Sequence, residues 1–204
     1  MHYKGLASSF EGVPAAGTKD KILRVARDLI AEKGIHKTSL AAIAEKAGIS
    51  RGTLFYYFPS KQSLLYQIME SSFQDVTDQI IGAIDAATPE DKPEAIIYLA
   101  LSYIGEARSL NQTNFHLFQE AISEDEILKN RFQESYRNWQ ELIARHLQEY
   151  FPHTTAHTSP QIMSSLILAI IDGISIQALL DYAPVNYRHI ARLIAGLFRE
   201  DAGV

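Results

Sequence analysis

Three breaks, at Gly34, Gly48 and Pro59, fall so close together that only short helices fit between them. The apolar spacing fills those intervals with helical pattern. Before the first break, Ile22, Val25, Ala26, Leu29 and Ile30 make one stripe at a period of about 3.6 residues, with Thr18 as a plausible N-cap. Thr38 or Ser39 caps a second helix that turns Leu40, Ile43, Ala44 and Ala47 inward and stops at Gly48. Ser50 caps a third, Arg51 to Tyr57, which Pro59 ends by biasing Phe58 out of the α region. Ser60 then opens a long helix from Lys61 to about Ala86.

The rest of the chain keeps the same period, and no alternating β-branched run is flanked by hairpin residues, so the fold class is all-α. Thr88 to Pro93 is the clearest internal break. Beyond it the pattern predicts helices at about Pro93–Ser109, Thr113–Ala121, Glu124–Tyr150, Pro160–Tyr182 and Val185–Arg199, about nine helices in total. The expected organisation is a tail over 1–17, a three-helix domain over 18–64, and a second helical domain over 65–204, with the fourth helix connecting. Ile162 to Leu180 is apolar enough to suggest a membrane span, but Ser164, Ser165, Asp172, Ser175 and Gln177 interrupt it, and it reads as a buried helix. No membrane partner is expected.

Two adjacent short helices joined by Gly48-Ile49-Ser50 are the helix-turn-helix pattern, whose second helix can enter the major groove with its N-terminal residues toward base edges. Leu54 and Phe58 fall on the side that packs on Ile43 and Ala47, leaving Arg51, Thr53, Tyr56 and Tyr57 to point outward. Gly52 costs a helix about 1 kcal/mol relative to Ala, which suggests close approach of the backbone to DNA or another helix. The bland alternatives are that Tyr56 and Tyr57 are core aromatics and that Arg51 and Lys61 are solvated charges. The net charge of -5 argues against nucleic acid until its distribution is read. Thr18 to Glu70 carries nine Lys/Arg against five acids, and Ser71 to Val204 nine against eighteen. That gives a basic head on an acidic body, a polarity suited to presenting one end to phosphate.

From Thr38 to Leu65 the chain resembles the TetR family of regulators. The residues that carry the resemblance are Thr38, Ile43, Ala44, Ala47-Gly48-Ile49-Ser50, Gly52 to Phe58, Pro59-Ser60-Lys61 and Leu64-Leu65. The resemblance implies a homodimeric, sequence-specific regulator, a repressor by family expectation, released from a near-palindromic double-stranded DNA operator by a small-molecule effector. It implies DNA contacts from Thr38, Ser39, Ser50, Arg51, Gly52, Thr53, Tyr56, Tyr57 and Lys61, with Thr38 near the backbone and Lys61 on phosphate. Phe55 stands where the family often has Tyr, which suggests inward packing, and Tyr57 where it often has His.

The fifth to seventh helices interleave Tyr98, Tyr103, Phe115, Phe118, Phe132, Tyr136 and Trp139 with polar residues. The resemblance places an effector pocket there, with Tyr98, Tyr103, Arg108, Phe115, His116, Phe118, Trp139 and Asp172 as candidate lining; an ordinary core stripe is the competing reading. Leu166 to Pro184 resembles the C-terminal domain of BetI-like members, which implies dimer contacts from Ala169, Ile170, Gly173, Ile174, Ala178, Leu193, Ile194, Leu197 and Phe198.

Other chemistry has less to stand on. There is no cysteine, so thiolate chemistry and disulfides are excluded, in keeping with an expected cytoplasmic setting; no secretory signal is evident. His153 and His157 lie on a loop with no third ligand, so no metal or other cofactor is expected. Asn111-Gln112-Thr113 fits a glycosylation sequon by chance. No nucleophile elbow or phosphate loop appears, and a helical enzyme using His116, Glu120 and Asp172 finds no support in their spacing. A carrier that kept the fold but lost operator recognition is the remaining alternative.

Overall fold

The computed structural model describes residues 17–86, 92–150, 159–181 and 186–197, and every element among them is an α-helix. In order these are α1 (Thr18–Lys33), α2 (Leu40–Ala47), α3 (Arg51–Tyr57), α4 (Lys61–Ala86), α5 (Lys92–Glu106), α6 (Arg108–Ser123), α7 (Glu126–Tyr150), α8 (Pro160–Leu179) and α9 (Tyr187–Leu197).

The breaks follow from local chemistry. Gly34 and Gly48 hold φ of 79° and 64°, a region where a Cβ is strained, and Gly48 caps α2 through its N–H on the carbonyls of Ala44 and Glu45. Ser39, not Thr38, caps α2, its Oγ accepting the Ala42 N–H at 3.1 Å. Gly17, not Thr18, precedes the first turn of α1. Ser60 and Ser63 form a reciprocal box at the start of α4: the Ser63 N–H donates to the Ser60 hydroxyl at 3.0 Å, and the Ser60 N–H to the Ser63 hydroxyl at 3.2 Å.

The predicted interruption at Asn111-Gln112 is absent. α5 and α6 part at Ala107, and Asn111, whose N–H reaches the Ala107 carbonyl, lies inside α6. Polar character alone made that pair look like a loop, but Asn111 and Thr113 are buried, and the Thr113 hydroxyl donates to the Arg27 carbonyl of α1 at 3.1 Å. The sequon is therefore not exposed on a loop.

Two cores run along the molecule. The first joins Ile22, Ala26, Ile30, Ile43, Leu54, Phe58, Leu64 and Ile68 of the first four helices to Leu117 and Ala121 of α6 and Leu128 and Phe132 of α7. The second gathers Val76, Leu101, Leu147, Ile171, Ile174, Ala191 and Ile194 where α4, α5, α7, α8 and α9 meet. The short-helix end is thus not closed on itself; α6 and α7 complete its core.

α8 departs from the expected buried helix. It is long and apolar enough to cross a membrane by length and composition, yet it packs on α5, α6 and α7 along one side while Ile162, Leu166, Ile176 and Leu180 stay exposed along the other.

Candidate nucleic-acid interface and ligand cavity

The exposed end is built first by α3. Leu54 and Phe58 are buried against the first core, so the helix can only present its opposite side outward. Arg51 and Gly52 are exposed, as are Phe55, Tyr57 and above all Tyr56, 82% exposed. The Tyr56 and Tyr57 rings meet edge to face at 5.2 Å. The core reading of these two tyrosines is thus excluded, and so is the inward packing expected of Phe55, which is about half exposed. Ser50 accepts the Thr53 N–H at 2.9 Å and shares a 2.8 Å hydroxyl contact with Thr53, fixing that half-buried side chain at the tip of the helix. A Cβ added at Gly52 would meet only the Ser50 hydroxyl, at 3.7 Å, so no neighbouring helix demands the glycine.

Two expected contacts also serve the α1–α2 turn. Thr38 is buried, its hydroxyl donating to the carbonyls of Gly34 at 2.8 Å and Leu29 at 3.2 Å, which ties the end of α1 to the start of α2. It is a hinge-pin of the turn and does not face outward. Lys61 donates from Nζ to the Ile35 carbonyl at 2.6 Å, clamping the same turn from α4. Ser39 is exposed at its cap position.

The second site is a cavity of about 430 Å³ between α4, α6, α7 and α8. Phe73, Phe115, Phe118, Phe132 and Trp139 give it an aromatic wall. Phe73 is the hub, with ring centroids 5.1 Å from Trp139, 5.8 Å from Phe132 and 6.2 Å from Tyr136, all edge to face. The polar part comprises Ser72, Asn111, Asn114, Tyr136, Asp172 and Ser175. The Tyr136 hydroxyl lies 2.9 Å from both Asp172 oxygens. Burial, then the neighbouring Asp172 charge, pushes the Tyr136 phenol up; burial also pushes the Asp172 carboxyl up, against the hydrogen bond from Tyr136. The Asn114 Oδ1 is buried with no hydrogen-bond partner among the described residues.

Of the eight expected pocket residues, Phe115, Phe118, Trp139 and Asp172 line this cavity. The other four do not. Tyr98 and Tyr103 pack on the second core, with Arg188 stacked over Tyr98. Arg108 pairs with Asp181 at the surface, where Asp181 holds a φ of 50° beyond the end of α8. His116 faces Gly34, 3.5 Å from where a Cβ would stand. Aromatic content marked the right helices, but which face of each looks inward depends on their mutual packing. Phe73, on the helix read only as a connector, was missed for that reason.

The expected dimer residues divide similarly. Ile174 and Ile194 are buried in the second core, on the inward sides of α8 and α9. Ile170 and Ala178 are half-buried, and Ala169 and Leu193 exposed. The Leu197 side chain and Phe198 lie outside the described residues, as do His153 and His157. An added Cβ at Gly173 would meet nothing within 4 Å. Ile162, Leu166, Ala169, Gly173, Ile176 and Leu180 follow one another at alternating steps of four and three residues, a single outward stripe on α8.

A short outer helix carrying exposed aromatics and an Arg, backed by a bundle with an apolar cavity, invites comparison with known regulators. Residues 22–68 match the model for bacterial regulatory proteins of the tetR family, and residues 89–199 match that for the C-terminal domain of BetI-type transcriptional repressors, more than half of the chain. The chain belongs to the TetR family. Among its relatives, the HTH-type transcriptional regulator YvdT of Bacillus subtilis is 41% identical over 69 residues, 34% of this chain and 36% of that protein. UidR of Escherichia coli is 40% identical over 55 residues, 27% of this chain and 28% of that one. The chain thus spans only about a third of the length of the curated relatives it matches. Over nearly the whole chain the fold is that of solved TetR-like structures. The fatty acid degradation regulator FadR of Bacillus halodurans superposes with a TM-score of 0.72 at 18% identity, covering 94% of this chain and 100% of that one. A transcriptional regulator of Pseudomonas aeruginosa gives 0.75 at 17%, covering 88% and 87%.

Proposed function

We propose that this TetR-family protein is a cytoplasmic, homodimeric regulator that reads a near-palindromic operator through α3 and leaves it when a small molecule fills the α4–α8 cavity. The observation that carries the reading is the outward face of α3: Arg51, Phe55, Tyr56 and Tyr57 stand clear of a core that Leu54 and Phe58 close from behind. Aromatic and guanidinium groups left in water on a two-turn helix suit base edges, thymine methyls and phosphates. The DNA-binding unit is taken as residues 18–64 and the sensing and dimerising unit as 65–204.

Dimerisation through α8 and α9 gives the stripe of Ile162, Leu166, Ile176 and Leu180 a partner, with Leu193 beside it. Ala169 and Gly173 allow close helix approach at its centre. A two-fold pair of α3 helices then addresses half-sites about 34 Å apart, one turn of duplex.

The cavity is wired to the DNA end. On α4, Ser72, Phe73 and Val76 line it while Ser71 and Asp75 bind the Arg27 guanidinium of α1, at 2.6 Å and 2.8 Å. On α6, Asn111 and Asn114 line it while Thr113 bonds the Arg27 carbonyl. One face of each helix touches the ligand and the adjacent face grips α1, so a ligand that moves α4 or α6 moves the base of the helix-turn-helix. A coupling of about 1–3 kcal/mol is enough for a useful switch.

The test is selection of bound duplexes from a randomised pool, followed by affinity measurement for wild type and Tyr56→Ala. The proposal expects a two-fold related sequence, an affinity falling steeply with salt, and a loss of about tenfold or more for the variant with an unchanged dimer by sedimentation. Sequence-independent, salt-insensitive retention would instead favour a carrier.

A further inference from the structure

We propose that the effector of the α4–α8 cavity is a lipophilic monocation, with one ammonium-type charge set against Asp172 and an apolar body filling the aromatic wall. The inference rests on the reading of this cavity as the effector site and adds the chemical class.

The first argument is a charge census. Among the described residues, Asp172 is the only charged side chain lining the cavity; no Lys, Arg or His among them does. Its carboxylate has about four acceptor positions, and the Tyr136 hydroxyl, although near both oxygens, has a single proton to give. A half-buried carboxylate so poorly compensated is costly unless a partner of opposite sign arrives. The buried Asn114 Oδ1 adds a further acceptor without a donor. An anionic ligand would set its charge against both, and a neutral one would leave Asp172 as unpaired as before.

The second argument is the wall. Phe73 stands edge to face with Trp139, Tyr136 and Phe132, so ring faces of several orientations bound one corner of the cavity. Aromatic faces attract a desolvated cation through the ring quadrupole. The third is size. At ~30 Å³ per water the 430 Å³ cavity has room for about fourteen. A bare tetramethylammonium leaves much of that space unfilled, whereas a cation with a benzyl or short alkyl body occupies it and buries apolar area.

Trp139 is the sole tryptophan of the chain and stands in the wall, so its emission reports occupancy directly. Full-length protein is titrated with benzyltriethylammonium, tetramethylammonium, decanoate and the neutral benzyl butyl ether, in wild type, Asp172→Asn and Tyr136→Phe. The expected result is saturable binding of benzyltriethylammonium, tighter than of tetramethylammonium or decanoate. Asp172→Asn should weaken it by about tenfold or more while changing benzyl butyl ether affinity by less than about twofold. Tyr136→Phe, which removes the carboxylate's internal donor and keeps its charge, should leave cation binding intact or tighten it. Equal cation affinity in Asp172→Asn, tighter binding of decanoate than of the cation, or no saturable cation binding into the millimolar range each overturns the proposal. A cation that binds in this way without releasing a selected duplex leaves the ligand class standing and refutes the switch. Failure to retain any duplex refutes only the DNA reading, since the emission titration needs none.

Discussion

At α3 the side chains proposed for function stand on the outside of a closed core, whereas at the cavity they are the inside of a core left open. The first arrangement follows from a few residues of local chemistry: a Ser cap, one buried Leu, a Pro stop. The second needs four helices from distant parts of the chain. The difference teaches where each end is vulnerable: the DNA end loses its shape through what lies behind the exposed face, the cavity end through what lies in it.

The severest way to break the contrast is Leu54→Ala. Leu54 is fully buried, so truncation should cost about 2–5 kcal/mol. Because Leu117, Leu128 and Phe132 share that core, the loss should lower a single transition, with helical circular dichroism and Trp139 emission moving together. An early helical transition that leaves Trp139 emission unchanged would show that the two ends unfold independently.

Thr38→Val tests the hinge of the α1–α2 turn. It keeps shape but removes the hydroxyl that donates to Gly34 and Leu29, a cost of about 1–2 kcal/mol in chemical denaturation. DNA affinity per folded molecule, and its salt slope, should stay as in wild type. A fall in DNA affinity per folded molecule at fixed salt would return Thr38 to the phosphate contact implied by family resemblance.

Gly52→Ala separates fold from interface within one residue. The added methyl meets only the Ser50 hydroxyl, so the helix should gain about 0.5–1 kcal/mol. If the backbone of α3 approaches DNA closely, operator affinity falls as stability rises. A variant that is both more stable and equally tight on DNA would show that no close approach occurs there.

Legibility in the sequence follows the same divide. Glycines at positive φ, serine caps and the Pro59 stop are signals carried within a few residues, so the short helices and the inward side of Leu54 and Phe58 could be read directly. Thr38 was misread because a threonine before a helix looks like a cap whether its hydroxyl faces the next turn or the previous one. Phe55 was misjudged from residue type alone, although its helix position beside Tyr56 puts it outward. In the bundle, periodicity gives a stripe for each helix but not the direction it faces. Ile174 and Ile194 therefore looked like the outward stripe, while Ile162, Leu166, Ile176 and Leu180 hold it. Phe73 and Tyr136 became cavity residues only through the packing of α4 and α7.

The mildest test sharpens the cavity side of the comparison. Burial holds the Asp172 carboxyl above its ordinary range. A carboxyl whose folded pKa exceeds its unfolded one binds more proton in the folded state, so its charge destabilises the fold fully above the folded value. That penalty fades as pH falls and is gone below the unfolded value. Asp172→Asn should therefore raise the melting temperature of the ligand-free protein at neutral pH, on the order of 2 °C for a chain this long. The advantage should shrink as pH is lowered through the carboxylate range. Nothing comparable is expected at α3, whose exposed face carries no buried charge. A variant no more stable than wild type at neutral pH would mean that Tyr136 and solvent already compensate the carboxylate, and the cavity would then hold no unmet charge for a ligand to answer.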